Sequence, residues 1–514
     1  LCVKMNLIAS TSTFSFFTLI SRVLGYLRDI LIAIFLGTSV YADAFFVAFR
    51  IPNTFRRLLS EGTFNAAFVP SYAGLLAKNK LLAQSFAKNV FNFLFVGLLI
   101  IILVAEIFMH QIVFVIAPGF SDNLELVNLT TKLCRITFPF LFFVCLASFF
   151  SAILNTHNKF GFAAAVPIIL NIILISSLLI SKYIDLPEVE ILSYAVTFAG
   201  LVQFISLIFY TKKYFKFSID LKLYINKKLK FFFKKLLPSV LSSGVVQINI
   251  LIGTIIASFQ SGAVSYLYYA DRLYQITLAV AGIAVGTVIL PELSKKIKLN
   301  NYKLVQDLQS RSINLCLFIS LPAAVGLYVG SYDIVNALFG YGSFTEESVK
   351  NTSAALKFFA LGIPAFALLK IFSSFYFARN NTQTPFQLSV IVVLINLALS
   401  IYFFRIIGFI AIPIATTIST WIIVLAYIYK FLEKDIHKFD NIFFLKIIKM
   451  FLSSTLMAIF LIYMISVFGD KLIYESSLKI LYLFLIVASS IVVYFLISVL
   501  IGSIKFGRKK NIII

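Results

Sequence analysis

Charge is scarce in this chain. Asp, Glu, Lys and Arg make up 13% of its 514 residues, about half the share that a water-facing surface ordinarily carries. One large soluble core could not be covered with so little. Cysteine is scarce as well: Cys2, Cys134, Cys145 and Cys316 are scattered, with no CxxC spacing, which argues against a disulfide framework or a thiolate metal site. Cys134 and Cys145 share one apolar stretch and are expected to be packing residues. The three histidines, His110, His157 and His437, are too far apart for metal-ligand spacing, so no metal is expected. Neither loop carboxylates nor a nucleophile–base pair of the kind that lipid-linked glycosyltransferases and phosphatases need is visible, and an enzyme is not expected.

What the chain has instead is apolar length. It is 61% hydrophobic, with a mean hydropathy of +0.99, and runs of about 20 apolar residues recur throughout, each able to cross about 30 Å of hydrocarbon as a helix. The fold expected is an all-α polytopic membrane protein of about fourteen transmembrane helices, near 8–36, 41–62, 88–109, 133–153, 162–181, 190–211, 237–258, 265–291, 312–330, 353–377, 386–404, 408–429, 445–468 and 478–503. The first run contains Arg22, Arg28 and Asp29 and lacks a small-residue cleavage signature, so a cleaved signal peptide is not expected.

The net charge of +23 would suggest nucleic acid in a soluble protein. Here most lysines sit between apolar runs, where basic residues set topology. With the N-terminus inside, about 29 of the 44 Lys and Arg fall in inside segments, nine of them in 212–236 alone. Both termini are expected in the cytoplasm, and nucleic acid is not expected as a partner.

Two stretches match at one offset: Pro139, Asn155 and Asn171 align with Pro364, Asn380 and Asn396. A looser match sets Tyr41-Ala42-Asp43 against Tyr269-Ala270-Asp271. Six spans per copy give both copies one orientation, a transporter architecture related by an axis along the membrane normal. The expected domains are an N-lobe (5–211), a basic cytoplasmic linker (212–236), a C-lobe (237–430) and a C-terminal helix pair with a basic tail (431–514). These make two six-helix lobes in parallel pseudo-repeat plus two helices.

A charge inside a bilayer costs upward of about 2.5 kcal/mol and so usually faces protein or water. Span 1 holds Arg22, Arg28 and Asp29; span 2 holds Asp43, Arg50, Arg56, Arg57 and Glu61; span 8 holds Asp271 and Arg272. At 100° per residue Arg22, Gly25 and Asp29 share one face of a helix, with Ser21 and Arg28 on its flank. Asp29, Glu61 and Asp271 are candidates for supporting ion pairs or gating. Arg56 and Arg57 could instead be anchors that snorkel to headgroups. Arginine presents a planar fork of donors suited to phosphate oxygens and stays ionised, so the cluster implies an anionic substrate. Gly25, Gly37 and Pro52 are bending points, or else packing and turn residues.

The residues Ser21-Arg22-Val23-Leu24-Gly25-Tyr26-Leu27-Arg28-Asp29, Ala42-Asp43-Ala44-Phe45-Phe46, Arg50-Ile51-Pro52-Asn53, Arg56-Arg57, Ala67-Phe68-Val69-Pro70, Tyr268-Tyr269-Ala270-Asp271-Arg272 and Gly340-Tyr341-Gly342 together resemble the lipid II flippases of the MurJ (MviN) family, in the multidrug/oligosaccharidyl-lipid/polysaccharide exporter superfamily. The resemblance runs from about Met5 to span 12. It implies alternating access between two lobes, and a groove on the last two helices for a polyprenyl tail. It also implies that Arg22, Arg28, Arg56 and Arg272 bind the diphosphate and sugar head, and that Ser21 and Asp43 are sensitive positions; Arg50 is a further substrate-binding candidate from its place in span 2. The partners implied are lipid II, an undecaprenyl-diphosphate-linked disaccharide-pentapeptide, and membrane lipids. A functional monomer in the cytoplasmic (inner) membrane is expected. Some members hold sodium with carboxylates in spans 7 and 11, where this chain offers only Asn249 and Asn396. No cofactor is expected, and coupling is to the membrane potential or a monovalent cation. The alternatives are a flippase for another polyprenyl-diphosphate-linked oligosaccharide and a drug/cation antiporter of the same superfamily.

Overall fold

A computed structural model describes residues 7–60, 63–217, 224–503, 505–506 and 512–513. Most of these are helical, and the strands among the described residues form a short antiparallel ribbon pairing Lys505 with Ile513 and Phe506 with Ile512. The chain forms two compact units, Leu1–Val264 and Ser265–Ile514.

The first unit contains α1 (Leu7–Leu36), α2 (Val40–Ser60), α3 (Thr63–Leu76), α4 (Lys80–Ile107), α5 (Met109–Ile116), α6 (Leu124–Thr137), α7 (Pro139–Thr156), α8 (Phe160–Ile180), α9 (Glu188–Thr211) and α10 (Lys227–Ala257). Polar caps start several of them: the side chains of Asn79, Asn123 and Asn226 accept the first free N–H groups of α4, α6 and α10, as N-caps do. Gly37, at φ +59°, ends α1 as a turn residue, whereas Gly25 lies inside α1 with the Asn171 amide 3.6 Å from where a Cβ would stand.

The second unit contains α11 (Ala263–Leu278), a π-helical turn (Ala279–Ala284), α12 (Val285–Lys298), α13 (Tyr302–Val329), α14 (Ser331–Phe339), α15 (Glu346–Phe377), α16 (Gln383–Ile407), α17 (Ala411–Glu433), α18 (Asn441–Val467), α19 (Gly469–Leu472) and α20 (Lys479–Leu500). Each of the fourteen expected spans falls on helix. Among the described residues, ten stretches are long and apolar enough to cross a bilayer, and one of them, Gln383–Glu433, holds two spans, α16 and α17. The three remaining spans fall on α1, α2 and α10, whose runs carry arginine or lysine. The separate helix α3 was not among the expected elements.

The sequence repeat reappears as packing. In the first unit α7 packs on α4 and α9, and α8 on α9; in the second α15 packs on α13 and α17, and α16 on α17. Prolines make the equivalence sharper. A helical proline supplies no N–H and pushes on the preceding turn, so nearby carbonyls need other donors. Thr197 on α9 donates to the carbonyl of Ile136, three residues before Pro139. Trp421 on α17 donates to that of Leu361, three before Pro364, at 3.1 Å. Ile136 and Leu361 stand at the same offset as the two prolines.

The two helices that carry those prolines also end alike. Asn158 and Asn380 have φ of 59° and 58°, and the following N–H reaches back to Leu154 and Tyr376 carbonyls at 2.9 and 3.0 Å, a Schellman cap. The cap pairs Asn158, not Asn155, with Asn380, three residues out of register with the sequence match. Asn300 after α12 and Asp435 after α17 close their helices in the same way.

The lysine-rich segment is more than a tether. From Lys227 it is the amphipathic start of α10, with Leu229, Phe232 and Leu236 buried and Lys227, Lys228, Lys230 and Lys234 exposed. Phe232 meets Phe64, Phe68 and Phe86 at 5.8–6.3 Å between ring centres. Helix α10, first of the second repeat by sequence, packs against α2, α3 and α4.

In the second unit, α18 packs on α13 and α20 on α18 and α14. A lysine fastens this pair. Lys479, at the start of α20 and 1% exposed, donates to Asn336 Oδ1 (3.1 Å), Gly340 O (2.7 Å) and Tyr474 O (2.6 Å). Its ammonium lies 4.1 Å from the Tyr341 ring centre. A Lys479→Met substitution orphans three acceptors at about 1–3 kcal/mol each, and a fall in the thermal midpoint of the purified protein is the expected result.

The loop after α17 buries His437. Gln309, with its amide turned to satisfy both sides, donates to Ile436 O (3.0 Å) and His437 Nδ1 (3.3 Å) and accepts from Arg379 Nη1 (3.2 Å). Burial pushes the imidazole down to about 4, Asp440 opposing and Arg379 assisting. An unfolded histidine titrates near 6.5, so the loop's stability is full above that pH and is lost as pH falls toward 4. Hydrogen exchange in residues 434–440 is expected to accelerate over that window, and to lose most of this dependence in His437→Gln.

Candidate functional site

The residues singled out from sequence divide between the two units. Ser21, Arg22, Arg28, Asp29, Asp43, Arg50 and Arg56 belong to the first, Asp271 and Arg272 to the second, and Glu61 lies outside the described residues.

In the first unit α1 and α8 lie side by side, and a polar knot joins them. Arg28 is 7% exposed and Asp29 3%. The guanidinium donates through Nε (3.0 Å) and Nη2 (2.7 Å) to a single oxygen, Asp29 Oδ1, a charge-assisted pair. Its Nη1 donates to Asn171 Oδ1 at 3.0 Å, and Asn171 Nδ2 donates to Ser21 O at 2.9 Å. One amide thus holds both the buried arginine and the backbone about two turns before it. Arg22, on the same helix, is exposed and makes no side-chain hydrogen bond with any described residue.

Helix α2 runs through Pro52 without a break. The proline leaves the Ala48 carbonyl without its usual donor, and the Thr137 hydroxyl of α6 supplies one at 3.0 Å. Asp43, 1% exposed, accepts the Gly262 N–H at 2.7 Å, tying the start of α2 to the turn before α11. Arg50 donates to Thr254 Oγ1 of α10 at 2.8 Å. Arg56 is half-buried, and its Nε donates to Asn53 Oδ1 at 2.9 Å.

In the second unit Arg272 lies over Tyr268 one turn earlier, 4.7 Å from the ring centre, and its Nη2 donates to the phenol oxygen at 3.1 Å. Asp271 accepts from Gln275. Directly beyond, the helix widens into the π turn at Ala279–Ala284, a distortion that recurs at functional sites.

The geometry therefore sorts two arginines of α1: Arg28 is neutralised and fixed by Asp29, whereas Arg22 is exposed. Sequence reading had marked Asn171 as part of the repeat without seeing that it joins Ser21 to Arg28. It passed over Lys370, an exposed lysine well inside α15, although a lone lysine in an apolar run was the available signal. No group of three or more His, Cys, Asp or Glu able to hold a metal occurs among the described residues. Replacing Asn171 with Leu removes a hydrogen bond to a buried charge, worth about 1.5–3 kcal/mol. The variant is expected to insert but to unfold at a lower temperature than wild type in the same detergent.

Comparison with known proteins gives this arrangement a family. The model for the family "Lipid II flippase MurJ" matches residues 32–483. A probable lipid II flippase MurJ of Rhizobium tropici is 39% identical over 424 residues, covering 81% of this chain and 79% of that protein. Its counterpart in Rickettsia prowazekii is 36% identical over 423 residues, covering 81% and 82%. A solved lipid II flippase MurJ in an inward closed conformation superimposes with a TM-score of 0.81 at 29% identity, covering 95% of this chain and 98% of that one. An inward-facing MATE family multidrug transporter shares the fold alone, with a TM-score of 0.67 at 15% identity over 80% of this chain and 94% of its own. By the extent of the family match and the identity to its members, this multi-pass membrane protein belongs to the lipid II flippase MurJ family.

Proposed function

We propose that this chain carries lipid II from the inner to the outer leaflet of a bacterial cytoplasmic membrane by alternating access, without chemical change to the lipid. The observation that carries the reading is the presence of arginines on membrane-spanning helices α1, α2 and α11. Such charges are costly in hydrocarbon and are kept where they meet a partner. A diphosphate is a fitting partner: its oxygens take the arginine fork, and the guanidinium stays charged at any physiological pH.

In this mechanism Arg22, Arg28, Arg56 and Arg272 hold the diphosphate and first sugar. Arg28 acts from the fixed position that Asp29 and Asn171 give it. Ser21, Asp43 and Arg50 line the approach, and Asp29, Glu61 and Asp271 serve as ion-pair partners or gates. The polyprenyl tail stays in the bilayer along α18 and α20 while the head crosses. Charge neutralisation on binding lets the two lobes rock. The membrane potential, worth about 2.3 kcal/mol per charge per 100 mV, drives the cycle. The protein works as a monomer with both termini in the cytoplasm. A carrier of organic cations would place carboxylates, not arginines, at the same positions.

Depletion of the protein in its own bacterium is expected to collapse the lipid II accessible to an outer-face probe while the total pool rises. Unchanged sidedness would assign the chain to another polyprenyl-linked sugar. Arg272→Ala is expected to reach the membrane at wild-type levels and to lose transport at least tenfold. Normal growth on that variant alone would remove Arg272 from the mechanism.

A further inference from the structure

A second polar site lies away from these arginines, within the first unit. Helices α6 and α7 form one 33-residue run, Leu124–Thr156, about 50 Å long at 1.5 Å per residue. Hydrocarbon accounts for only about 30 Å. With Thr156 at one membrane surface, the stretch from Leu124 to Arg135 stands at headgroup level on the other. A cavity of about 350 Å³ opens there, within the range of small-ligand pockets. His110 of α5, Asn128, Thr131, Lys132 and Arg135 of α6, and Tyr194 of α9 line it.

Two carboxylates face these cations from behind. Glu190 of α9 holds Lys132 Nζ at 2.6 Å, and Glu106 of α4 attracts the Arg135 guanidinium. Neither exhausts its partner. The Lys132 side chain is about half exposed and has three donors. Arg135 has five, and makes no side-chain hydrogen bond with any described residue. Thr131 supplies an independent pointer. A helical threonine commonly donates to the carbonyl four residues back, as Thr130 does to Leu126 O at 2.7 Å. Thr131 does not: its hydroxyl is buried without any hydrogen-bond partner, in a residue 7% exposed. An unpaired buried hydroxyl is unfavourable, and a ligand oxygen in the cavity would satisfy it.

The surroundings say what kind of ligand. Tyr194 and Phe198 on α9, and Leu103, Val104 and Ile107 on α4, present large exposed apolar side chains at the same end of the unit. A soluble anion would gain nothing from these, whereas an acyl chain would lie along them. We infer that the cavity is a headgroup site for an anionic glycerophospholipid, whose phosphate is held by Arg135 and Lys132 and hydrogen-bonded by Thr131. Arginine and lysine hold the oxygens of a phosphate by charge-assisted hydrogen bonds of this kind. The site is separate from the residues assigned to the transported lipid and does not depend on that assignment.

The test uses the full-length protein in a neutral detergent, titrated with phosphatidylglycerol, phosphatidylcholine or inorganic phosphate. Retained lipid is read by native mass spectrometry, and stability by the thermal midpoint. Wild type is expected to retain phosphatidylglycerol and to melt higher with it, and to show neither effect with phosphatidylcholine. Arg135→Gln is expected to weaken phosphatidylglycerol binding at least tenfold. Thr131→Val, which keeps the side chain's shape, is expected to weaken it several-fold and serves as the test if Arg135→Gln does not fold. Equal retention of phosphatidylglycerol and phosphatidylcholine, or wild-type affinity in the folded variants, would overturn the proposal. So would a full thermal shift from inorganic phosphate alone, which would mark an adventitious free-anion site.

Discussion

Hydrocarbon offers no hydrogen bonds, and the rest of this structure follows from that. Each polar atom placed in a span must be answered by another part of the same protein or by what the protein carries. Arg28 is answered by Asp29 and Asn171. The Ala48 carbonyl freed by Pro52 is answered by Thr137, and the carbonyls before Pro139 and Pro364 by Thr197 and Trp421. These bonds are also the ties between helices: α1 to α8, α2 to α6, α6 to α9, α15 to α17. Lipid tails are as apolar as leucine and give helices little reason to prefer one another, so such polar ties carry much of the specificity of packing.

The same constraint explains why so much of the fold was legible in the chain. A span must be apolar for about 20 residues, and that is a local property. All fourteen expected spans fall on helices, and Pro139 and Pro364 mark equivalent helices in the two halves. The candidate arginines stood out for a related reason, since arginine in an apolar run is conspicuous. Illegible were the relations that only packing decides. Nothing local tells that Asn171 reaches Arg28 across 143 residues, or that Lys479 reaches Asn336 across the same separation. The end of α7 shows the limit of reading repeats by identity alone. Asn155 matches Asn380 in sequence, yet the left-handed cap falls on Asn158, because the cap follows the helix's length and not its alignment.

The arginines illustrate two physical solutions to one problem. Arg28 is paired with a carboxylate and buried, an arrangement that fixes a geometry at considerable desolvation cost. Arg272 rests on the face and hydroxyl of Tyr268, which steadies the guanidinium without cancelling its charge.

The packing of α10 bears on how the protein is made. Membrane helices leave the ribosome in order, and the first sequence repeat is complete at residue 211. The aromatic cluster of the first unit is not: Phe64, Phe68 and Phe86 meet Phe232 only after α10 has begun, and Asp43 finds its donor only at Gly262. A nascent chain that has finished its first repeat therefore still lacks part of its own core. The unit of ancestry and the unit of folding end some fifty residues apart, and the later boundary governs when the first half can become stable.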